Sequence, residues 1–174
     1  PRPRISDFGE IPRPAWDLFP LENYLSNGFG YGVNAGRTVP VMASRGCPFQ
    51  CTFCSSPQMW TTKWEARPVD DLLDEMESYI HKYGATNFDF YDLTTIVRKD
   101  WIREFCRKLK EKEWGVTWQM PSGTRSEALD VESLTAMFST NQKNITYAPE
   151  SGSLKTLKII KKKIKLDSMK SSMR

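Results

Sequence analysis

Three of the four cysteines of this chain lie within eight residues, in the segment Cys47-Pro-Phe-Gln-Cys51-Thr-Phe-Cys54. In a random chain of this length and cysteine content, the spacing would arise roughly 0.002 times, so chance does not explain it. Cysteine thiolates are soft ligands that bind zinc, copper and iron–sulfur clusters. The spacing therefore predicts a metal-binding loop.

The choice of metal follows from the number of ligands. A structural zinc site takes four protein ligands, but the sequence has no second pair of closely spaced cysteines, and its single histidine, His81, lies far along the chain. A disulfide does not account for three neighbouring cysteines, because they cannot all pair. Three thiolates on a four-iron cluster leave one iron without a protein ligand, which favours catalysis over simple electron transfer.

With an aromatic residue, Phe53, before the last cysteine, the loop resembles that of the radical S-adenosylmethionine (radical SAM) enzymes. Residues 43–54 are similar to the subgroup whose members often carry a cobalamin-binding domain ahead of the radical core. Further similar segments lie at 60–67, 90–95 and 148–153. The resemblance implies a [4Fe–4S] cluster on Cys47, Cys51 and Cys54, S-adenosylmethionine as cofactor and an external electron donor of the flavodoxin or ferredoxin type. It also allows cobalamin on a further domain.

Around the loop, the pattern of apolar residues alternates between strands and helices. Strands are predicted at 38–44, 87–91, 116–120 and 144–148. Helices are predicted from Val69 after Pro68, around Ile102 to Leu109, from Val131 after an Asp130 cap with Leu134 and Phe138 inward, and from Ser153 with Leu154 and Leu157 inward. Strands separated by helices pair in parallel through right-handed crossovers, so we predict an α/β fold, a partial (β/α) barrel of about four βα units.

Two regions are expected. Residues 1–37, rich in proline and glycine, are predicted to form an arm without regular structure, similar to the connector that follows the cobalamin domain in the subgroup. Residues 38–174 are predicted to be the N-terminal part of a radical SAM core. The sequence begins with Pro1 and ends in a charged stretch, so we expect a piece of a longer enzyme whose fourth strand is an uncovered edge, and whose stability is lower than that of the parent.

Each predicted strand leads into residues able to bind a ligand, and ligands bind at the carboxyl ends of parallel strands. The first strand leads to the cysteine loop. The others lead to the following residues: Tyr91 and Asp92; Ser122, Thr124 and Arg125; Glu150 and Ser151. We therefore expect all of them on one rim of the barrel.

The resemblance implies roles for these residues. The backbone of Tyr91 and the side chain of Asp92 would bind the methionine amino group of the cofactor, although many relatives carry two acids where this chain has a tyrosine before the aspartate. Arg125 would hold the methionine carboxylate, since a guanidinium pairs well with a carboxylate. Glu150 would bind ribose hydroxyls or pair with Arg125, with Ser122 and Ser151 also at the cofactor. Phe53 would pack beside adenine, and Trp60 and Trp64 would either shield the cluster or pack on the surface.

The remaining features restrict the partners. The net charge of +4 comes largely from lysines near the C-terminus, a pattern typical of a solvated helix face, so a nucleic-acid partner is not predicted. No apolar run reaches membrane length and no targeting signal is present, which predicts a cytoplasmic protein acting on a small molecule.

The resemblance implies reductive cleavage of S-adenosylmethionine to a 5′-deoxyadenosyl radical, with cobalamin-dependent methyl transfer or rearrangement as the outcome. Two alternatives stay open. One is a cobalamin-independent radical SAM enzyme, similar to the methylthiotransferases or the anaerobic oxidases. The other is a non-enzymatic metal module that recruits Cys106 as a fourth ligand, although its helical spacing predicts that Cys106 is a buried packing residue.

Overall fold

The structure, a computed structural model, describes residues 3–5, 7–125 and 129–173. The strands are β1 (Thr38–Val41), β2 (Ser44–Arg45), β3 (Glu65–Ala66), β4 (Asn87–Phe90), β5 (Thr117–Thr124) and β6 (Gln142–Tyr147). The helices are α1 (Leu21–Ser26), α2 (Ser56–Trp60), α3 (Val69–Tyr83), α4 (Lys99–Lys112), α5 (Val131–Phe138), α6 (Leu154–Ile159) and α7 (Leu166–Ser172).

The main sheet has the order β1-β4-β5-β6, and every pair in it is parallel. Helices α3, α4 and α5 connect its successive strands, as the alternating pattern predicts. One face of the sheet is aromatic: the rings of Phe90 and Trp118 lie 5.5 and 5.3 Å from that of Phe105 on α4. These buried rings form the centre of the core, and the predicted α/β class with a parallel sheet is confirmed.

The strand bounds differ from the sequence prediction in two places. The first predicted strand divides into β1 and β2, because residues 44–45 leave the main sheet and pair antiparallel with β3. Strand β5 is longer than predicted and reaches Thr124, which pairs with Tyr147 across an irregular register. Ser122 and Thr124 therefore belong to the strand, and Arg125 is the first residue after it.

The helix starts were easier to predict than the inward faces. Asp130 caps α5 by accepting a hydrogen bond from the Ser133 N–H, and Ser153 caps α6 in the same way. Phe138, however, is 81% exposed and Leu154 is 72% exposed, so the prediction that they face inward was wrong. Phe138 is the last residue of α5 and Leu154 the first residue of α6, whereas Met137 and Leu157 are buried. Helix α2 was not predicted, and the lysine-rich stretch near the C-terminus, predicted to be helical, divides into α6 and α7.

The arm has more regular structure than its prolines predict. Helix α1 forms directly after Pro20, a residue that is tolerated at a helix start because the first N–H groups need no helical partner. Short 3-10 turns occur at Phe8–Glu10 and Trp16–Leu18. Pro1, the first of the prolines on which the prediction rests, lies outside the described residues. Leu21 and Leu25 are buried in the main core, so this part of the arm is folded onto the sheet.

Residues 28–33 of the arm, which we call the glycine strap, cross the face of the sheet opposite to α4. The Gly32 N–H donates to Asp89 Oδ2 (2.9 Å), and the Val33 backbone exchanges two hydrogen bonds with the Gln119 amide (3.1 and 2.8 Å). A Cβ atom at position 32 would lie 2.4 Å from Gln119 Cδ, so a larger residue there would displace the Gln119 amide that binds Val33. The larger side chains of the strap are exposed: Phe29, Tyr31 and Val33.

Candidate active site

The cysteine loop begins immediately after β2 and is anchored by its backbone. Gly46 has a φ of 81°, and a Cβ atom there would lie 2.2 Å from the Lys63 carbonyl oxygen, so both conformation and space require glycine. Further along, the Thr52 N–H donates to the Ile160 carbonyl at the end of α6 (3.0 Å). The loop therefore passes close to Lys63 at its start and is hydrogen-bonded to the end of α6 at Thr52.

The three thiols of the loop differ in burial. Cys47 and Cys51 are half-buried and Cys54 is exposed. Burial raises the pKa of the Cys47 thiol; an N–H of Phe49 and the charge of Arg125 oppose this rise, while Cys54 and Cys51 add to it. These mutual effects put the three sulfurs within electrostatic range of each other and of one guanidinium. A thiolate at Cys47 gains from a bound cation, because its negative charge is otherwise poorly solvated.

The donor set suits an iron–sulfur cluster better than a single ion. In the described part of the chain, no three Cys, His, Asp or Glu side chains are arranged around one metal ion. In a cluster, each thiolate binds a different iron, so its sulfurs need not converge on one point. Cys106 is buried, as predicted, and burial raises its pKa to about 12. Three neighbouring thiols without a fourth fit a [4Fe–4S] cluster with one open iron.

Asp92 is hydrogen-bonded to the segment that leads into the cysteine loop. It follows β4 and is only 1% exposed. Its carboxylate accepts hydrogen bonds from the Ala43 N–H (3.1 Å) and the Ser44 hydroxyl (2.5 Å). Burial raises the pKa of this carboxyl to about 6, although these hydrogen bonds act in the opposite direction. The side chain predicted to contact the cofactor thus bonds to the segment that leads into the loop.

Tyr91 and Ser122 tie the neighbouring strand ends together. Tyr91 is part-exposed at the rim, and its hydroxyl accepts a hydrogen bond from the Tyr31 N–H of the strap (3.2 Å). The Ser122 hydroxyl bonds to the Phe90 and Asp92 carbonyls, at 3.1 and 2.8 Å. Their positions agree with a rim of converging strand ends, but the Ser122 hydroxyl is directed to the backbone of the adjacent loop.

Arg125 reaches the cysteine loop from the end of β5. Its guanidinium carbon lies 3.5 Å from the centre of the Phe49 ring, and the residue is largely buried. A guanidinium stacked on an aromatic face keeps its charge and its position. Arg125 is therefore a fixed positive charge beside Cys47, where the sequence predicted a partner for a carboxylate.

The residues after β6 form a separate part of the rim. Glu150 has a left-handed φ of 64° and forms an ion pair with Lys162 (3.0 Å). The Ser151 hydroxyl accepts a hydrogen bond from the Ser153 N–H, so it supports the start of α6. Because Ile160 at the end of this same helix bonds to Thr52, the segment is linked to the cysteine loop through α6.

The aromatic residues near the loop have unequal roles. Phe53 is more than half exposed, which leaves its ring available to a ligand. Trp60 stacks against the Arg45 guanidinium at 5.4 Å, and the Trp64 N–H donates to the Thr94 carbonyl (3.0 Å). Both tryptophans thus have structural contacts, in agreement with the surface-packing alternative.

Sequence reasoning missed three residues that shape this site. The Ser44 hydroxyl donates a hydrogen bond to Asp92, Gly46 forms the turn into the loop, and the Phe49 ring stacks against Arg125. All three lie in or next to the cysteine segment. The glycine directly before Cys47 was the available signal, because a glycine at the start of a ligand loop often marks a left-handed turn.

Comparisons with known proteins place the chain in a family. The model of the Radical SAM superfamily matches residues 41–174. Cytidylyl-2-hydroxyethylphosphonate methyltransferase of Streptomyces wedmorensis is 33% identical over 95% of this chain and 32% of that protein. An uncharacterized methyltransferase of Pyrococcus horikoshii is 33% identical over 70% of this chain and 25% of its own length. The chain thus spans about a quarter to a third of these relatives.

Solved structures agree with the fold. The radical S-adenosylmethionine methyltransferase TsrM of Kitasatospora setae, with tryptophan substrate and a SAM analogue bound, superposes with a TM-score of 0.73 at 14% identity, over 88% of this chain and 29% of that one. At this identity the likeness concerns the fold alone. Together with the family match over most of the chain and the three-cysteine loop, it leads to one conclusion: this chain belongs to the radical SAM superfamily, whose enzymes use a [4Fe–4S] cluster and S-adenosylmethionine.

Proposed function

We propose that this chain is the cluster-binding part of a methyltransferase that cleaves S-adenosylmethionine reductively. The observation that carries the proposal is the loop of three neighbouring thiols at the rim of a parallel sheet, with the fourth cysteine, Cys106, buried in a helix. When bound, the cluster would supply one electron to the sulfonium of S-adenosylmethionine, which would split into methionine and a 5′-deoxyadenosyl radical. Because this methionine keeps its methyl group, the methyl group that is transferred would come from a second S-adenosylmethionine. The electron comes from an external flavodoxin- or ferredoxin-type donor, and the setting is the cytoplasm.

In this proposal, Cys47, Cys51 and Cys54 hold three irons of the cluster. Arg125 provides a fixed positive charge beside Cys47 for the methionine carboxylate, supported by its stacking on Phe49. A preorganised guanidinium needs little reorganisation when the carboxylate arrives. Phe53 offers an exposed ring to adenine.

The Tyr91 backbone is proposed to bind the methionine amino group. Asp92 acts as a positioning residue for the loop, because its carboxylate is buried against Ala43 and Ser44. Glu150, exposed and held by Lys162, is proposed to bind ribose hydroxyls beside Ser151. Ser122 holds the loop after β4 in register with β5.

Methyl transfer is favoured as the outcome because the relatives from Streptomyces wedmorensis and Pyrococcus horikoshii are named methyltransferases. The further step to cobalamin is supported by the TsrM structure that contains cobalamin and a [4Fe–4S] cluster. Residues 1–37 are proposed to be the connector to a cobalamin-binding unit and residues 38–174 the core. A second candidate is a cyclase-type radical reaction on a small molecule, since the anaerobic magnesium-protoporphyrin IX monomethyl ester cyclase of Cereibacter sphaeroides is 34% identical over 73% of this chain.

The first experiment is anaerobic reconstitution of the chain with iron and sulfide. We expect about four irons and four sulfides per chain, retained in Cys106→Ala and lost in Cys47→Ala. Both substitutions remove a thiol, but only the second removes a proposed ligand. Zinc uptake without iron, or loss of iron in Cys106→Ala, would contradict the proposal and favour a four-ligand metal module.

The second experiment tests the reaction itself. The reconstituted chain is incubated with S-adenosylmethionine and dithionite, and 5′-deoxyadenosine is measured by mass spectrometry. We expect its formation to depend on iron content, and to fall in Arg125→Met more than in the exposed control Arg107→Met. Formation that is equal in the two arginine variants would exclude the role proposed for Arg125.

A further inference from the structure

A cavity of about 550 Å³ lies outside the cysteine loop, between residues 8–16 of the arm and the free edge of β1. This volume is in the range of small-molecule sites. Its walls are mostly apolar, with contributions from Phe8, Ile11, Pro14, Trp16, Pro40 and Met42. Tyr91 at the rim also lines it, so the cavity adjoins the candidate active site.

The charged side chains around the cavity do not balance. The lining has three guanidinium groups and two carboxylates, which belong to Arg13, Arg45, Arg67, Asp71 and Glu75. Arg67 is fully engaged, with bonds to Asp71 (2.6 Å), to Glu75 and to the Met42 carbonyl (3.1 Å). Arg13 also approaches Asp71, at 3.4 Å. One positive charge, that of Arg45, remains in excess.

Arg45 is held by aromatic rings rather than by an acid. Its guanidinium carbon lies 5.7 Å from the centre of the Phe8 ring and 5.4 Å from that of Trp60. Over residues 3–5, 7–125 and 129–173, its side chain forms no ion pair or hydrogen bond. Stacking fixes the position of a guanidinium but leaves its N–H donors unused. The cavity thus combines apolar walls with a positioned cation whose donors are available.

We propose that this cavity binds a small organic anion, with an apolar body between the arm and β1 and one carboxylate or phosphate group on Arg45. The single surplus charge matches a ligand with one anionic group, because a second would meet Asp71 and Glu75. This proposal goes beyond the cluster chemistry, since none of the proposed cluster ligands lines the cavity.

The test uses three probes with the same apolar body: 1-naphthoate, 1-naphthyl phosphate and the neutral 1-naphthamide. Their binding to the reconstituted full chain is measured by titration calorimetry at low salt. We expect at least one anion to bind about tenfold more tightly than the amide, and this advantage to be lost in Arg45→Met. The control Arg107→Met removes the same charge from an exposed i,i+4 pair on α4 and should leave binding unchanged.

A second variant tests the place of binding. Met42→Trp puts a larger side chain at the cavity wall and should weaken all three probes, with circular dichroism as the check on folding. Equal binding of anions and amide, an equal effect of the two arginine variants, or unchanged binding in a folded Met42→Trp would overturn the proposal. The last result would place the probes elsewhere, for example on the exposed rings of the glycine strap. Iron content is measured separately, so failure of the cluster and failure of this site are distinguishable.

Discussion

The substitution Asp92→Asn should change how stability depends on pH. In the folded chain, burial raises the pKa of this carboxyl from 3.8 to about 6. Below about pH 4 the carboxyl is protonated in both the folded and the unfolded state, and the folded state bears no charge penalty. As the pH rises from about 4 to about 6, the unfolded state releases its proton first, so the free energy of unfolding falls.

The size of this effect follows from the pKa difference. A rise of about two pH units corresponds to about 3 kcal/mol lost between pH 4 and pH 7, at 1.36 kcal/mol per unit. Asparagine has nearly the same shape, its carbonyl accepts from Ala43 or Ser44, and it carries no charge. We therefore expect Asp92→Asn to become more stable relative to the wild type by about 3 kcal/mol as the pH rises over this range.

The measurement is urea denaturation of the metal-free chain, followed by tryptophan fluorescence at several pH values between 4 and 7.5. Taking the difference between variant and wild type cancels the other titrating groups to first order, since only position 92 changes. A difference that is flat with pH would show that burial does not raise the pKa of this carboxyl. A difference of opposite sign would show that the Ala43 and Ser44 hydrogen bonds outweigh burial, and would refute the reasoning.

Two further substitutions test other parts of the structure. Gly32→Ala should destabilise the chain by about 2 kcal/mol in urea denaturation, because its Cβ would meet the Gln119 amide at 2.4 Å. The control Gly152→Ala, which has open space around it, should change stability by less than about 0.5 kcal/mol. Equal effects of the two substitutions would contradict the strap geometry. Asp130→Asn should show the opposite pH trend to Asp92→Asn, because hydrogen bonds from Ser133 and Lys99 lower the pKa of Asp130. The variant should have a lower free energy of unfolding than the wild type near neutral pH, and this deficit should shrink below about pH 4. A deficit that persists unchanged at pH 3 would show that the carboxylate charge contributes nothing.

Local patterns were sufficient to predict the four strands of the main sheet and the helices α3, α4 and α5 between them. The Cys47 to Cys54 spacing is a property of a few neighbouring residues, and the Asp130 and Ser153 caps act within one helical turn. Cys106 follows from helical periodicity, which places it on the buried face of α4. These features depend on interactions between residues that are close in sequence, so they can be predicted without knowledge of the tertiary structure.

Features that depend on distant parts of the chain were not predictable in this way. The role of Asp92 depends on its approach to Ala43, and 49 residues separate the two. Likewise, the sequence 28–33 looks like a flexible linker, because glycine-rich segments lack side chains to pack. Its fixed position comes from Asp89 and Gln119, which are 57 and 86 residues away from their partners. The local sequence shows the glycines, whereas the Asp89 carboxylate and the Gln119 amide that bind this segment lie far away along the chain.

The glycine strap has a consequence for how this region tolerates mutation. The sheet recognises its peptide groups through Asp89 and Gln119, while the side chains at alternate positions point away. Substitutions at Phe29, Tyr31 and Val33 should therefore be accepted far more readily than substitutions at Gly32. In a saturation scan, positions that accept substitutions should alternate with positions that do not. Such an alternation is typical of a β-strand, although this segment is not part of one.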